Sequence, residues 1–236
     1  MEIDISKNTN AVSSYSLYEI GYIKLRVGMA YLAFIFPLIF LISSFILRRT
    51  DFQDSISAYY FSRDTERNLF VGILICIGIF LHLYEGYSVL EDRILSLAGV
   101  FAIGIALVPM GTIGWEVFGQ RVTLHGIFAA LFFACIHIVA IWLSETTLSD
   151  LEGKRRRFFE KRYKIVSGIM IGSIIIALAA YLLPKTWLLE RFNGKLVFWV
   201  ETVGVWCFAA FWYYKTREVN PHIPWRPIGF RRARVR

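Results

Sequence analysis

The residues best suited to chemistry in this sequence are polar side chains that lie inside or beside long apolar stretches. His125 stands one turn into one apolar stretch, and Glu201 stands about two turns into another. A charged or imidazole group in hydrocarbon is costly, so that each one needs a partner or a function. An imidazole near a carboxylate supports acid–base chemistry, provided that the fold brings the two groups together.

Hydroxyl groups and a guanidinium precede a further apolar stretch. Their depth along the predicted helices matches that of the imidazole and the carboxylate, so that we expect one outward-facing polar cavity. The candidate residues of this cavity are Ser55, Ser57, Tyr59, Tyr60, Arg67, His125 and Glu201.

Three interpretations of this group stay open. The favoured one is a cavity that binds a lipid headgroup or small polar ligand without covalent chemistry, with charge held by Glu201 and Arg67. The second is a membrane hydrolase or transferase with Ser57 as nucleophile and His125 as base, where Glu201 orients the base or acts as acid. The third is a structural ion pair between Glu201 and either Arg67 or Arg121.

A second polar group is predicted nearer the other end of the helices. His82 and Glu85 share a helix face because they are three residues apart, and His137 has a matched depth. They could bind a metal, form the proton or ion path of a transporter, or make a neutral hydrogen-bonded histidine pair. His125 and His137 lie about 18 Å apart along one helix, which excludes a metal shared by these two. No nucleotide-binding or zinc-protease motif is present, and we predict neither a cofactor nor a metal site.

Membrane-spanning helices must position these residues. The chain is 56% hydrophobic and 19% charged, and its apolar residues fall in runs near the ~20 residues that cross a bilayer. We therefore predict one domain over residues 1–236, an all-α polytopic transmembrane bundle of six helices. The spans are predicted at residues 27–47, 68–84, 94–115, 122–144, 165–184 and 196–214.

Basic residues are distributed unequally between the two sides of this topology. Of the 26 Lys and Arg residues, 18 fall on the side of the two termini and 8 on the other. Cytoplasmic segments of membrane proteins carry an excess of basic residues, so that we expect both termini in the cytoplasm.

The partners that this arrangement predicts are membrane lipids. The net charge of +8 sits largely beside the spans, so that we expect anionic headgroups, and no nucleic acid, at the 154–164 loop and the basic tail at 215–236. Gly168 and Gly172 have the small-xxx-small spacing of closely packed helices, either within the chain or in a homo-oligomer.

The segment SISAYYFSRDTERNLFVGILICIGIFL (55–81) resembles the signature of an uncharacterised family of bacterial six-span membrane proteins. That signature is Ser-x-Ser-x-Tyr-Tyr, a short polar stretch with Arg, and Phe-Val-Gly where a helix begins. LAGVFAIGIALVP (97–109), LHGIFAALFF (124–133) and WVETVGVWCFAAFWYYK (199–215) are similar to later segments of the family. The resemblance implies a multi-pass protein of the bacterial inner membrane, with the candidate cavity residues as its recurring polar positions. Asn68 stands where the family would have Asp, and the resemblance implies no activity.

Overall fold

The structure is a computed structural model that describes residues 17–117, 120–182 and 192–219. Its α-helices are α1 (Leu17–Leu41), α2 (Asp64–Leu83), α3 (Val89–Leu107), α4 (Leu124–Ile138), α5 (Glu145–Leu148), α6 (Gly153–Leu182) and α7 (Leu196–Val219). Two short strands, β1 (Gly114–Val117) and β2 (Gln120–Thr123), pair antiparallel between α3 and α4.

The six long helices within the described ranges form a closed ring. Each packs against the next along the chain, in the order α1, α2, α3, α4, α6 and α7, and α7 packs back onto α1. Large apolar side chains fill the interior, and Phe70, Phe132, Phe208 and Trp212 are each at most 6% exposed. The predicted all-α bundle is thereby confirmed.

Five of the described helices are long and apolar enough to cross a membrane. By length and composition these are Gly21–Ile46, Asp64–Leu83, Leu124–Leu148, Gly153–Ala180 and Leu196–Val219. The sixth predicted span corresponds to α3, whose first turn carries Glu91, Asp92 and Arg93 and which packs between α2 and α4. The fold is that of a multi-pass membrane protein.

Helices α2 and α3 pack closely through two facing glycines. A Cβ on Gly78 would lie 2.7 Å from the Gly99 carbonyl oxygen, and one on Gly99 would lie 2.5 Å from that of Gly78. Only glycine at both positions lets the two backbones come this close. This contact fixes α3, and with it the chain that leads to α4.

The third and fourth spans were predicted too long at the ends that face each other. The prediction carried the third span to Trp115 and began the fourth at Val122, but α3 ends at Leu107 and α4 begins at Leu124. Proline at position 109 cannot continue a helix, and Gly111 adopts a positive φ of 82°. The apolar residues that follow belong to the β-hairpin rather than to a helix.

Other helices extend beyond the apolar stretches that predicted them. The first begins at residue 17 rather than 27, and the last ends at 219 rather than 214. The 154–164 segment, predicted as a loop, is the first part of α6. Lys, Arg and Glu are good helix formers, and the helix therefore continues beyond its apolar residues. The end of the predicted fifth span and the tail after residue 219 lie outside the described residues.

Two helices end in a π-helical turn. The turn at Ile42–Ile46 follows α1, and the turn at Val139–Leu143 follows α4. A π turn rotates the side chains that follow it relative to a regular helix. In the first turn, this brings Ser43 and Ser44 to Glu66 and Tyr59, respectively.

Candidate functional site

Residues 49–63, here called the 49–63 loop, fold back onto the end of the bundle. The Phe198 amide, at the start of α7, donates to the Asp54 carbonyl oxygen at 2.9 Å. The Tyr59 hydroxyl lies 2.6 Å from the Ser44 hydroxyl in the π turn after α1. The loop is therefore attached to both the first and the last helix of the ring.

A serine of this loop meets a histidine of α4. The Ser57 Oγ lies 3.0 Å from His125 Nε2, and His125 Nδ1 lies 2.8 Å from the Val108 carbonyl oxygen. A carbonyl oxygen only accepts hydrogen bonds, so that Nδ1 carries the proton of the neutral imidazole. Nε2 then has a lone pair for the Ser57 hydroxyl proton, which is the geometry of a serine activated by a histidine base.

Local structure holds the imidazole in this orientation. Thr123 caps α4 by accepting the Gly126 amide at 3.1 Å, which fixes the turn that carries His125. The imidazole is 5% exposed, and the Phe70 ring stacks on it at 6.5 Å between ring centroids. The base thus sits in an apolar environment, whereas Ser57 is only partly buried.

Glu201 bonds to the backbone of the loop rather than to the imidazole. Its Oε2 accepts the Ile56 amide at 2.6 Å, and the Ser57 amide also donates to the carboxylate. The structure therefore brings Ser57, His125 and Glu201 together around one turn of the loop. The Val108 carbonyl orients the histidine. The sequence predicts this role for Glu201.

The other predicted residues of this group make local contacts. The Ser55 hydroxyl accepts the Ala58 amide at 3.0 Å, beside the start of the short helix Ser57–Phe61. Tyr60 packs against Phe70. These side chains shape the loop.

Arg67 is not brought into the group. Its side chain is 44% exposed and pairs with Asp64 at 2.7 Å, one turn away on α2. The spacing of three residues on a helix explains this local pair. The Arg121 side chain lies outside what the structure describes.

The second predicted group does not assemble. His82 and Glu85 are exposed, while His137 Nδ1 lies 2.5 Å from the Ser167 hydroxyl on α6. Ser167 is 0% exposed, so that this second serine–histidine contact lies between helices and joins α4 to α6.

Charged residues that the sequence analysis assigned to loops form a buried cluster at the opposite end of the bundle. This buried charge cluster consists of Arg26, Glu91, Lys215 and Glu218, each at most 3% exposed. Lys215 Nζ lies 3.4 Å from Glu218 Oε2 and donates to the Thr147 hydroxyl at 2.6 Å. Buried charges require such partners, and the cluster joins α1, α3 and α7.

Glu91 is the member of this cluster that lies outside the five candidate spans. Its Oε2 accepts the Tyr87 amide at 3.1 Å. Burial raises the pKa of the Glu91 carboxyl above its ordinary value, while Lys215 and the Tyr87 amide act in the opposite direction. The folded protein therefore favours the protonated carboxyl relative to an exposed one.

Helical spacing along the sequence indicates that two residues of the buried charge cluster lie on a buried helix face. Lys215 and Glu218 continue the buried face of α7 that contains Phe208, Phe211 and Trp212. Each of these charges marks a helix end or a membrane side in the predicted topology, although both side chains lie on a buried face.

Within the part of the chain that the structure describes, no group of three or more His, Cys, Asp or Glu side chains could hold a metal ion. In comparisons with known proteins, no family model, no curated protein and no solved structure matches this chain.

Proposed function

We propose that this chain is a membrane-embedded hydrolase or transferase in which Ser57 is the nucleophile and His125 is the general base. The observation that carries the proposal is the 3.0 Å contact between Ser57 Oγ and His125 Nε2, with His125 Nδ1 bonded to the Val108 carbonyl. A serine is a weak nucleophile at its ordinary pKa and requires an adjacent base.

The reaction we propose is acyl transfer. Ser57 Oγ attacks the carbonyl carbon of an ester while its proton passes to His125 Nε2, and the imidazolium then gives this proton to the leaving alcohol. Water, or a second alcohol, then attacks the acyl carbon and gives its proton to His125. The bond between this carbon and Ser57 Oγ breaks, and the imidazolium returns the proton to Oγ. Water as acceptor gives hydrolysis, and an alcohol as acceptor gives transfer.

The substrate class we propose is an acyl ester of a membrane lipid. The group lies at one end of the apolar helices, where the ester groups of lipids meet the headgroups. Ser57 is partly exposed, and Phe61 in the same short helix is 57% exposed. Both exposures support access of a lipid ester to Ser57 from this region.

Glu201 is a positioning residue in this proposal. Its carboxylate holds the Ile56 and Ser57 amides and thereby sets the direction of the Ser57 side chain. Our first expectation, a ligand cavity charged by Glu201 and Arg67, has less support because Arg67 pairs with Asp64 at the surface.

The setting we propose is the inner membrane of a bacterium, with both termini in the cytoplasm. The supporting observation for this orientation is the excess of basic residues on the side of the termini. Ser57 would then act in the outer leaflet.

A fluorophosphonate probe tests the nucleophile, because it reacts covalently with serines that an adjacent base activates. The full chain, purified in detergent, should be labelled at Ser57, as read by mass spectrometry of the modified peptide. Ser57→Ala should abolish labelling. His125→Gln should lower the labelling rate by about 10²- to 10⁴-fold, the usual contribution of a general base.

Ser167→Ala and His137→Gln are the matched controls, since they remove the same types of side chain from the other serine–histidine contact. Both should be labelled as fast as the wild type. An unlabelled wild-type protein, or equal labelling of Ser57→Ala, overturns the proposal.

A further inference from the structure

A groove on α6 gathers basic side chains where this helix leaves its apolar stretch. The groove, here called the α6 groove, has a volume of about 370 Å³. Its lining residues are Arg157, Glu160, Lys161, Lys164 and Ile165.

Two cations of the groove have no anionic partner among the described residues. Lys164 pairs with Glu160 at 2.6 Å, which leaves Arg157 and Lys161. Other cations of the same segment are engaged within the protein: Arg155 donates to the Glu218 carbonyl oxygen and Arg156 pairs with Glu145. The α6 groove therefore presents two net positive charges to a ligand.

An open apolar face continues from the groove along α6. At 100° per residue, Gly168 and Gly172 lie on the same side of the helix as Arg157 and Lys161. A Cβ on either glycine would meet no atom within 4 Å, so that neither packs against another described helix. From Lys164 to Ile175, which is 60% exposed, this face is about 17 Å long, close to half of the ~30 Å hydrocarbon core.

We propose that the α6 groove binds the phosphate headgroup of an anionic phospholipid, whose acyl chain lies along Gly168 and Gly172. Charge complementarity favours this ligand. Arg157 and Lys161, which have no anionic partner among the described residues, face the groove. The phosphate of a lipid headgroup is the anion found where a membrane helix leaves the hydrocarbon. A second copy of this chain fits less well, since a parallel dimer through the glycines would place the cations of both copies next to each other.

Native mass spectrometry of the detergent-purified full chain tests the site. With phosphatidylglycerol and phosphatidylethanolamine of matched acyl chains at equal concentration, the wild type should retain phosphatidylglycerol preferentially. Arg157→Ala combined with Lys161→Ala should lower this retention about 30-fold, the effect of two cations at a membrane surface. Lys24→Ala with Arg93→Ala is the control, because it removes the same charge from exposed positions at the same end of the bundle.

The glycine face has its own test. Gly168→Leu with Gly172→Leu fills open space without an internal clash and should lower phosphatidylglycerol retention while the protein stays monomeric. Equal retention in both charge variants overturns the proposal. So does a wild-type dimer that the leucine variant dissociates, or displacement of phosphatidylglycerol by millimolar inorganic phosphate, which would indicate a site for free phosphate.

Discussion

A neutral imidazole has one donor and one acceptor nitrogen, so that the partner of one nitrogen decides what the other can do. In this protein the Val108 carbonyl settles the choice, and Nε2 is left as acceptor for Ser57. The arrangement differs from a carboxylate-oriented triad because a carbonyl dipole stabilises the imidazolium less than a full charge does. In the proposed reaction, acyl transfer by Ser57 should consequently be slower than in enzymes with a buried aspartate partner.

Replacement of His125 by asparagine separates orientation from base chemistry. The asparagine amide can take the place of Nδ1 and donate to the Val108 carbonyl, but it has nothing at the position of Nε2. His125→Asn should keep the thermal unfolding temperature close to that of the wild type and lose probe labelling at Ser57. His125→Ala leaves the partly buried Val108 carbonyl without its donor and should lower the free energy of unfolding by about 1–3 kcal/mol. A labelled His125→Asn protein would contradict the assignment of Nε2 as the base.

Glu91 makes the contribution of the buried charge cluster to the stability of the fold depend on pH. Burial raises the pKa of its carboxyl, so the folded state favours the protonated form. Lys215 and the Tyr87 amide oppose this shift, and Glu218 and Asp92 add to it. Its contribution to stability is therefore largest below the ordinary carboxyl pKa and is lost as pH rises through the raised value.

Glu91→Gln should flatten this part of the pH dependence, measured as the unfolding temperature of the purified protein in detergent from pH 4 to pH 8. Glu85→Gln serves as the control, because Glu85 is exposed and lies six residues away. If both variants change the pH profile equally, burial of Glu91 is not its cause.

At the scale of the elements, apolar length predicted where the helices are but not where they end. The density of charge from Lys154 to Lys164 predicts a loop, although α6 includes all of these residues. The candidate site is likewise predicted only in part. Depth along the helices groups Ser57, His125 and Glu201. The Val108 carbonyl and the Ile56 amide are backbone groups, and their contacts depend on the path of the loops, which no sequence pattern indicates.

The contact between α2 and α3 is the element-level feature most open to a test by substitution. Gly99→Ala would place a Cβ about 2.5 Å from a backbone oxygen of α2, and backbone cannot move aside as a flexible side chain can. The substitution should lower the free energy of unfolding by about 1–3 kcal/mol. Gly72→Ala is the matched control on α2, since its Cβ would meet nothing within 4 Å, and it should be neutral or stabilise the helix by up to about 1 kcal/mol. Equal unfolding temperatures for the two variants would contradict the close packing.

At the scale of the whole molecule, the buried charge cluster changes what the charge count means. Arg26 and Lys215 are buried among protein groups and do not face headgroups. When these two are left out, 16 of the 18 basic residues on the side of the termini remain, which is twice the 8 on the other side. The proposed orientation therefore does not depend on these two buried cations.

Single cysteines test this orientation directly. In a protein with Cys76, Cys135 and Cys207 replaced by alanine, cysteines are introduced at the exposed positions Asp51 and Glu152, which lie at opposite ends of the bundle. A membrane-impermeant maleimide added to intact bacterial cells should label Asp51→Cys and leave Glu152→Cys unlabelled, and it should label both after the membrane is permeabilised. The reverse pattern in intact cells would show that the orientation is opposite to the proposed one. It would place Ser57 at the cytoplasmic face and the α6 groove in the outer leaflet, so that the lipids available to each site would exchange.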